Sequence, residues 1–379
     1  MLDLMATMKA LQGQRALHFD SKPSLRAEFK KYLLKSLGVS ILGLSALGCQ
    51  PSAVEPVSGV SSGSSASIIG GEEVLENSWI SKTVVAIYSR SGSLCTGALI
   101  DRNVILTAAH CVVNETRQGG KIVRTPARPQ ELVVIFTRSL EACSQKTNQA
   151  LGSDCKVARV EETLVHPAYF QDRQNVMGDV ALIRIRGTAP DQYVSSSLAA
   201  EFIDPRESAY VAAGFGRIHG YHKDQDEPTA LRTVVLTGVS EELYSRLGSF
   251  LKAMLLEKME EKGQQNSADY LELKSASPAE VGGALYPTAA ESEIIPVDNS
   301  QGKGICAGDS GGAAFAQGTD GVYVVTGVAS FVSNPLGEEP CALIGSYMNV
   351  SFHRSWIERG FQQIRSLNSI KISPFTSVR

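Results

Sequence analysis

A serine framed by glycines, Gly308-Asp309-Ser310-Gly311-Gly312, is the tightest constraint this sequence places on its own fold. An acid and three glycines around one serine imply a backbone bent so that the hydroxyl is presented. The missing side chains at Gly308 and Gly311 let another backbone come close. The N–H groups of such a bend can converge on one point and stabilise a developing oxyanion. Taken alone, the pentapeptide is also a plain tight turn between strands. Serine hydroxyls are poor nucleophiles, so a catalytic reading requires a base and an orienting acid elsewhere in the chain.

Both are present. Val104-Ile105-Leu106 reads as the end of a strand and runs into Thr107-Ala108-Ala109-His110-Cys111, whose small residues leave the His110 imidazole uncrowded. Gly178-Asp179-Val180-Ala181-Leu182-Ile183 sets an acid at the mouth of another apolar strand. A carboxylate there is expected to be buried and to need hydrogen-bonding partners, of which a histidine N–H is one. In this order the segments TAAHC, GDVALI and GDSGG resemble the trypsin/chymotrypsin family of serine proteases. Further likenesses extend over 290 residues, from Ile68 to Ile357. Ile68-Ile69-Gly70-Gly71 resembles the mature N-terminus of that family, and His166-Pro167 its dipeptide ahead of the acid. Gly214-Phe215-Gly216 resembles its Gly-Trp-Gly, Val328-Ala329-Ser330-Phe331 its cleft-lining segment, and Ser355-Trp356-Ile357 its C-terminal helix.

The resemblance implies an all-β fold of two antiparallel six-stranded β-barrels, with the active site in the cleft between them. Many short apolar runs separated by turn residues fit that architecture. The peptidase domain is expected over residues 68–367, with barrels at about 68–187 and 193–350 and a tail over 368–379. Two helical elements are expected in addition. Leu243, Leu247, Phe250, Leu251, Met254 and Leu255 recur at helical spacing within an insertion over about 240–262, with Ser240 able to cap it and Gly263 following it. A C-terminal helix is expected from Arg354 to Leu367, packing Trp356, Ile357 and Phe361.

The roles implied by the resemblance are specific. Ser310 is the nucleophile, His110 the general base and then the general acid, and Asp179 the residue that holds the histidine tautomer, with Ser330 hydrogen-bonded to it. The N–H groups of Gly308 and Ser310 form the oxyanion hole. Cys95 pairs with Cys111 and Cys306 with Cys341. Cleavage before Ile68 frees an amine that pairs with Asp309, so the uncut chain is a zymogen. The specificity pocket is lined by Gly304 at its base, Ile305 beside it, and Val332 and Gly345 on its walls. An uncharged, shallow, apolar pocket predicts small uncharged residues before the scissile bond, and Ser67, which precedes Ile68, would suit such an enzyme acting on itself. The alternative is that Ile305 and Val332 only pack and the pocket has another shape. A different class of function, an idle binding or scaffold protein of the same fold, would keep the architecture without the chemistry.

Composition narrows the partners. A net charge of −3 over 379 residues gives no strong preference for polyanions or membrane surfaces, and few aromatics with no basic stripe point away from nucleic acid. The resemblance implies protein or peptide substrates, and a monomer is expected. No cofactor or metal is expected: His219 and His222 sit in a polar loop without further ligands nearby. Asn114-Glu115-Thr116 matches a glycosylation sequon, a weak signal. Seven cysteines leave one over once Cys143 and Cys155 are expected to pair locally. Three bridges imply an oxidising compartment, against reduced thiols in a cytosolic protein.

The remaining Cys49 has its own context. Lys30, Lys31 and Lys35 precede a segment of 13 small and apolar residues, Ser36 to Gly48. That is too short to span a bilayer and reads as a secretory signal. Ala46-Leu47-Gly48-Cys49 resembles a bacterial lipobox, which would make Cys49 a lipidated mature N-terminus, with Gln50 pointing to the outer membrane. The alternative is an ordinary signal peptide that leaves Cys49 unpaired and the protein periplasmic or secreted. Residues 1–48 are thus expected to be leader and signal, with translation able to begin later, near Leu25. Residues 49–67, rich in Ser and Gly, read as a tether, a propeptide or both.

Overall fold

The computed structural model describes residues 68–118, 121–143, 155–171, 177–216, 230–337, 339 and 341–370. The leader, Cys49, Ser67, His219, His222 and the residues after 370 lie outside the described residues.

Short β-branched runs bounded by turns form the strands, as expected for chains whose apolar residues alternate or cluster in fours to eights. After a two-residue strand β1 (Glu72–Glu73), the chain builds β2 (Val84–Ser89), β3 (Leu94–Asp101) and β4 (Val104–Thr107). A ribbon of β5 (Val113–Gln118) and β6 (Lys121–Pro126) stands apart. Then come β7 (Leu132–Phe136), β8 (Lys156–Val165) and β9 (Ala181–Ile185). These close a barrel in the order β2-β3-β4-β9-β8-β7. Alternation is plain in β7, where Leu132, Val134 and Phe136 point inward and Val133 and Ile135 are half-buried. Leu99, Ile105, Leu106, Leu182 and Ile183 fill the interior and are at most 1% exposed. Each such side chain contributes about 1.5–3 kcal/mol by leaving water.

The second unit contains β10 (Tyr210–Gly214), β11 (Arg232–Leu236), β12 (Ile294–Asp298), β13 (Ala313–Gln317), β14 (Tyr323–Ser333) and β15 (Ile344–Asn349). Its sheet has seven strands in the order β1-β11-β10-β13-β14-β15-β12. An isolated bridge, Gly238 to Val297, joins the chain beyond β11 to β12 and brings the sheet's six main strands round on themselves. The protein is therefore a two-barrel β protein. Its N-terminal segment lies on the second barrel, not the first: β1 pairs with β11, and Ile69 bridges Gly304.

Helices are few and local. A short α1 (Pro167–Gln171) precedes the loop that leads to Asp179. The insertion holds three helices, α2 (Glu241–Glu261), α3 (Ala268–Ser275) and α4 (Pro278–Leu285). Their Leu247, Leu251 and Val281 share a core of their own with Leu343 and Ile344 of the second barrel. The C-terminal helix α5 (Val350–Ile370) crosses back onto the first barrel, and its Ile357 and Ile364 join that barrel's core. Among the described residues, no helix is long and apolar enough to cross a membrane.

Candidate active site

The turn at Ser310 is shaped by glycine. Gly308 (φ +101°) and Gly311 (φ +78°) are both in the left-handed region that side chains disfavour. The bend is fixed by its own amides: Asp309 N donates to Cys306 O (3.1 Å), Gly312 N to Asp309 O (2.8 Å) and Gly311 N to Ala329 O (2.7 Å). The amides of Gly308 and Ser310 donate to no acceptor among the described residues, which leaves two donors available at the bend. Thr96, on β3 of the first barrel, clamps the turn from outside. Its N–H donates to Ser310 O (2.8 Å) and its hydroxyl to Gly308 O (3.0 Å), while it accepts from Phe215 N (3.2 Å).

His110 lies on a single 3-10 turn, Ala109–Cys111, immediately after β4. A disulfide from Cys111 to Cys95 on β3 anchors that turn, with Cα atoms 6.0 Å apart. Closing a loop of this size stabilises by about 3 kcal/mol. Asp179 sits one residue before Val180 and two before β9, whose pairing with β4 (Thr107 opposite Ala181) brings it beside His110. The Asp179 side chain is 1% exposed and that of His110 is 32% exposed, so the acid is sealed and the imidazole has a free edge. Asp179 Oδ2 is 2.8 Å from His110 Nδ1 and accepts from Ser330 Oγ at 2.5 Å, and Oδ1 accepts the His110 N–H at 2.9 Å.

Electrostatics follow this geometry. Burial opposes charging His110, but the adjacent Asp179 charge and hydrogen bond, with Glu115 farther off, outweigh it and hold the imidazole above its ordinary value. Burial likewise opposes ionising Asp179. The His110 charge and the hydrogen bonds from His110 and Ser330 outweigh it and hold the carboxyl below the usual range. Cys95, His110 and Cys111 cluster as if to bind a metal, but both sulfurs are consumed in the disulfide.

Asp309 faces the other way, into the second barrel. Its carboxylate accepts from Gly216 N (2.7 Å) and Cys306 N (2.9 Å). Burial, opposed only by those two bonds, pushes it up to about 7. Ile68 is fully buried nearby, and its amide donates to Gly216 O at 3.1 Å.

At the expected pocket, Gly304 is tied to Ile69 by two backbone bonds, and Ile305 is buried with Ile68, Val297 and Tyr347. Val332 on β14 faces Gly345 on β15. A residue that sequence reasoning missed stands between them. Asn299 Nδ2 donates to the carbonyls of Ile305 (3.3 Å) and Cys341 (3.1 Å), which fixes the orientation of the amide. Its Oδ1 is buried without a partner among the described residues, and a side chain at Gly304 would collide with this amide. The space that a residue at position 304 would fill is thus already occupied. The Cys306–Cys341 and Cys143–Cys155 bridges are also formed.

A two-barrel fold with a buried aspartate–histidine pair beside a glycine-framed serine defines a class, the chymotrypsin-like serine hydrolases. The Trypsin family profile matches residues 68–259 and 252–357, and the chain belongs to that family. It is 25% identical over 300 residues to human chymotrypsin-like elastase family member 1, covering 77% of this chain and 91% of that protein. Against CLIP domain-containing serine protease B8 of Anopheles gambiae it is 25% identical over 312 residues, covering 77% of this chain and 66% of the relative. With mouse ovochymase-2 the figures are 22% over 267 residues, 70% and 34%. The chain thus spans less than two thirds of those last two relatives.

Proposed function

We propose that this protein is a serine endopeptidase. The observation that carries the reading is the sealed Asp179 bonded to a partly exposed His110, beside a serine turn with two amides that donate to no acceptor among the described residues. In the proposed cycle, His110 removes the Ser310 proton as Oγ attacks the scissile carbonyl. The resulting oxyanion is held by the Gly308 and Ser310 amides. His110 then donates the proton to the leaving amine, which departs and leaves an acyl-enzyme. Water, deprotonated by His110, completes the hydrolysis and restores Ser310. Asp179 remains ionised and stabilises the imidazolium throughout.

The substrate side chain ahead of the scissile bond is small and uncharged. Supporting this, the Asn299 amide fills the base beneath Gly304 without supplying a negative charge, and the residue opposite Gly345 is the apolar Val332. Peptides that differ only at that position test the preference. Faster hydrolysis after Ala or Val than after Arg, Lys or Phe is expected, and the reverse order overturns it.

Cleavage before Ile68 activates the chain. The Ile68 backbone is held at φ +58°, an outlier for a β-branched residue that costs about 1–3 kcal/mol. The φ angle is defined by the preceding carbonyl, so cutting that bond abolishes the constraint. It also turns the amide into an ammonium beside the buried Asp309. Self-cleavage after Ser67 predicts that Ser310→Ala protein keeps the bond intact, as N-terminal sequencing would read. The likeness of residues 46–49 to a lipobox supports export from a bacterium with a lipid on Cys49. The mass of the Cys49-containing peptide from exported Ser310→Ala protein, uncut before Ile68, tests this: an unmodified Cys49 overturns lipidation.

A further inference from the structure

One residue before Asp179, the first barrel meets a second buried carboxylate–imidazole pair, its carboxylate from the second barrel and its imidazole from α5. Glu293, just ahead of β12, is 6% exposed, and His353, near the start of α5, is 2% exposed. Glu293 Oε1 accepts the Gly178 N–H at 2.5 Å and lies 3.2 Å from His353 Nε2, a nitrogen that has no aligned hydrogen bond. The His353 ring stands edge-on to His166 at 5.0 Å, and His166 in turn packs on Trp356 at 4.9 Å.

The segment that carries Glu293 is tied to β15 by one asparagine. Asn349 Nδ2, at the end of β15, donates to Ala290 O (3.1 Å) and Ser292 O (3.0 Å), and the Asn349 N–H donates to Glu293 O (2.8 Å). Asn349 Oδ1 also accepts from Ser351 N (3.1 Å), capping α5. Helix cap and Glu293 are therefore set by one residue.

A carboxylate taken out of water is costly unless its lone pairs are used. An apolar side chain would fill this site at lower cost, but it would leave the buried Gly178 amide unsatisfied. Asp179 is otherwise reached from the second barrel through Ser330, which grips its carboxylate. Glu293 grips the peptide immediately before it.

We propose that Glu293 is a positioning residue for the Asp179–His110 pair: by holding the Gly178 N–H it fixes the backbone from which the Asp179 carboxylate is aimed at His110. The proposal rests on the endopeptidase reading and adds to it a residue that touches neither substrate nor the reacting atoms. A displacement of about 1 Å in such a constellation can cost on the order of 100-fold in rate.

The test is a pair of variants of nearly equal size, Glu293→Leu, which removes the acceptor, and Glu293→Gln, which keeps a neutral one. Their folding is checked by circular dichroism. Glu293→Leu is expected to lower kcat by about 10- to 100-fold with little change in KM, and Glu293→Gln to recover most of that loss. A folded Glu293→Leu protein with wild-type kcat overturns the proposal, as does a Glu293→Gln protein equally impaired. Should the leucine variant not fold, NMR of wild type and Glu293→Gln decides. A Gly178 amide protected from exchange and an unshifted His110 Nδ1–H resonance in Glu293→Gln are expected, and an unprotected amide or a shifted proton overturns the proposal. Wild-type protein that neither hydrolyses peptides nor reacts with a serine-directed phosphonate overturns the endopeptidase reading and this role with it. Reactive wild type with indifferent variants overturns this role alone.

Discussion

Ser310 has no chemistry of its own that a surface serine lacks; what sets it apart is its neighbours. Ser310→Ala and His110→Ala are each expected to lower kcat by about 10⁶, and the double variant by no more, because the residues act as a unit. Activity should fall on acidification as His110 gains a proton. Because the neighbouring Asp179 outweighs the effect of burial, the midpoint should lie above the ordinary imidazole value of about 6.5, read from kcat/KM against pH. Gly304→Asp should not confer cleavage after Arg: the new side chain would meet the Asn299 amide, and overpacking of this kind destabilises by about 1–3 kcal/mol, measurable by urea unfolding. Ser310, His110 and Asp179, the proposed triad, could be singled out in the sequence because each sits inside a contiguous motif with small neighbours. Thr96, Asn299 and Glu293 were not. Thr96 meets Gly308 across 212 positions and Glu293 meets Gly178 across 115, contacts set by how the barrels face each other and absent from any local pattern.

At the scale of elements, the inserted helices show what periodicity and capping can and cannot reveal. Helix α2 was readable from its apolar spacing, and Ser240 caps it, accepting Leu243 N at 3.2 Å. Helices α3 and α4 were not anticipated, although Ser267 and Ser277 cap them and Ser277 forms a reciprocal capping box with Glu280. Eight residues are too few for a periodic signal, and Gly282-Gly283 inside α4 argues against a helix until packing is considered. There the glycines have a reason: side chains at Gly248 and Gly282 would strike the backbones of Pro278 and Tyr244, so α2 and α4 touch at glycine. Gly248→Ala would raise helix propensity but force the pair apart. It is expected to lower stability by about 1–3 kcal/mol in urea, where an exposed helical site would gain about 1 kcal/mol. The C-terminal helix began earlier than expected, at Val350, because Asn349 supplies its cap.

At the scale of the molecule, the two barrels share an apolar core and are tied by buried polar contacts around the site. Thr96 on the first barrel holds the serine turn of the second, and Ser330 and Glu293 on the second hold Asp179 and Gly178 of the first. The two-barrel plan and the three bridges could be read from the sequence. The pairing of β1 with β11 and the bridge from Ile69 to Gly304 could not, because contacts this distant leave no local pattern. Asp309 makes a whole-molecule prediction. Its value, pushed up to about 7 by burial, exceeds the unfolded carboxyl value of about 3.9. Between those values the uncut folded chain binds more protons than the unfolded one, so its stability falls as pH rises. An ammonium on Ile68 removes that penalty. Ser310→Ala protein, uncut, should lose thermal stability from pH 4 to 7 more steeply than the same protein cut before Ile68, and Asp309→Asn should abolish the difference.

The most direct measurement is mass-spectrometric mapping of a fluorophosphonate adduct on the processed protein. A single adduct on Ser310, lost in His110→Ala, is the predicted result; a folded, processed protein whose Ser310 stays unlabelled, or labels equally well without His110, would contradict the account.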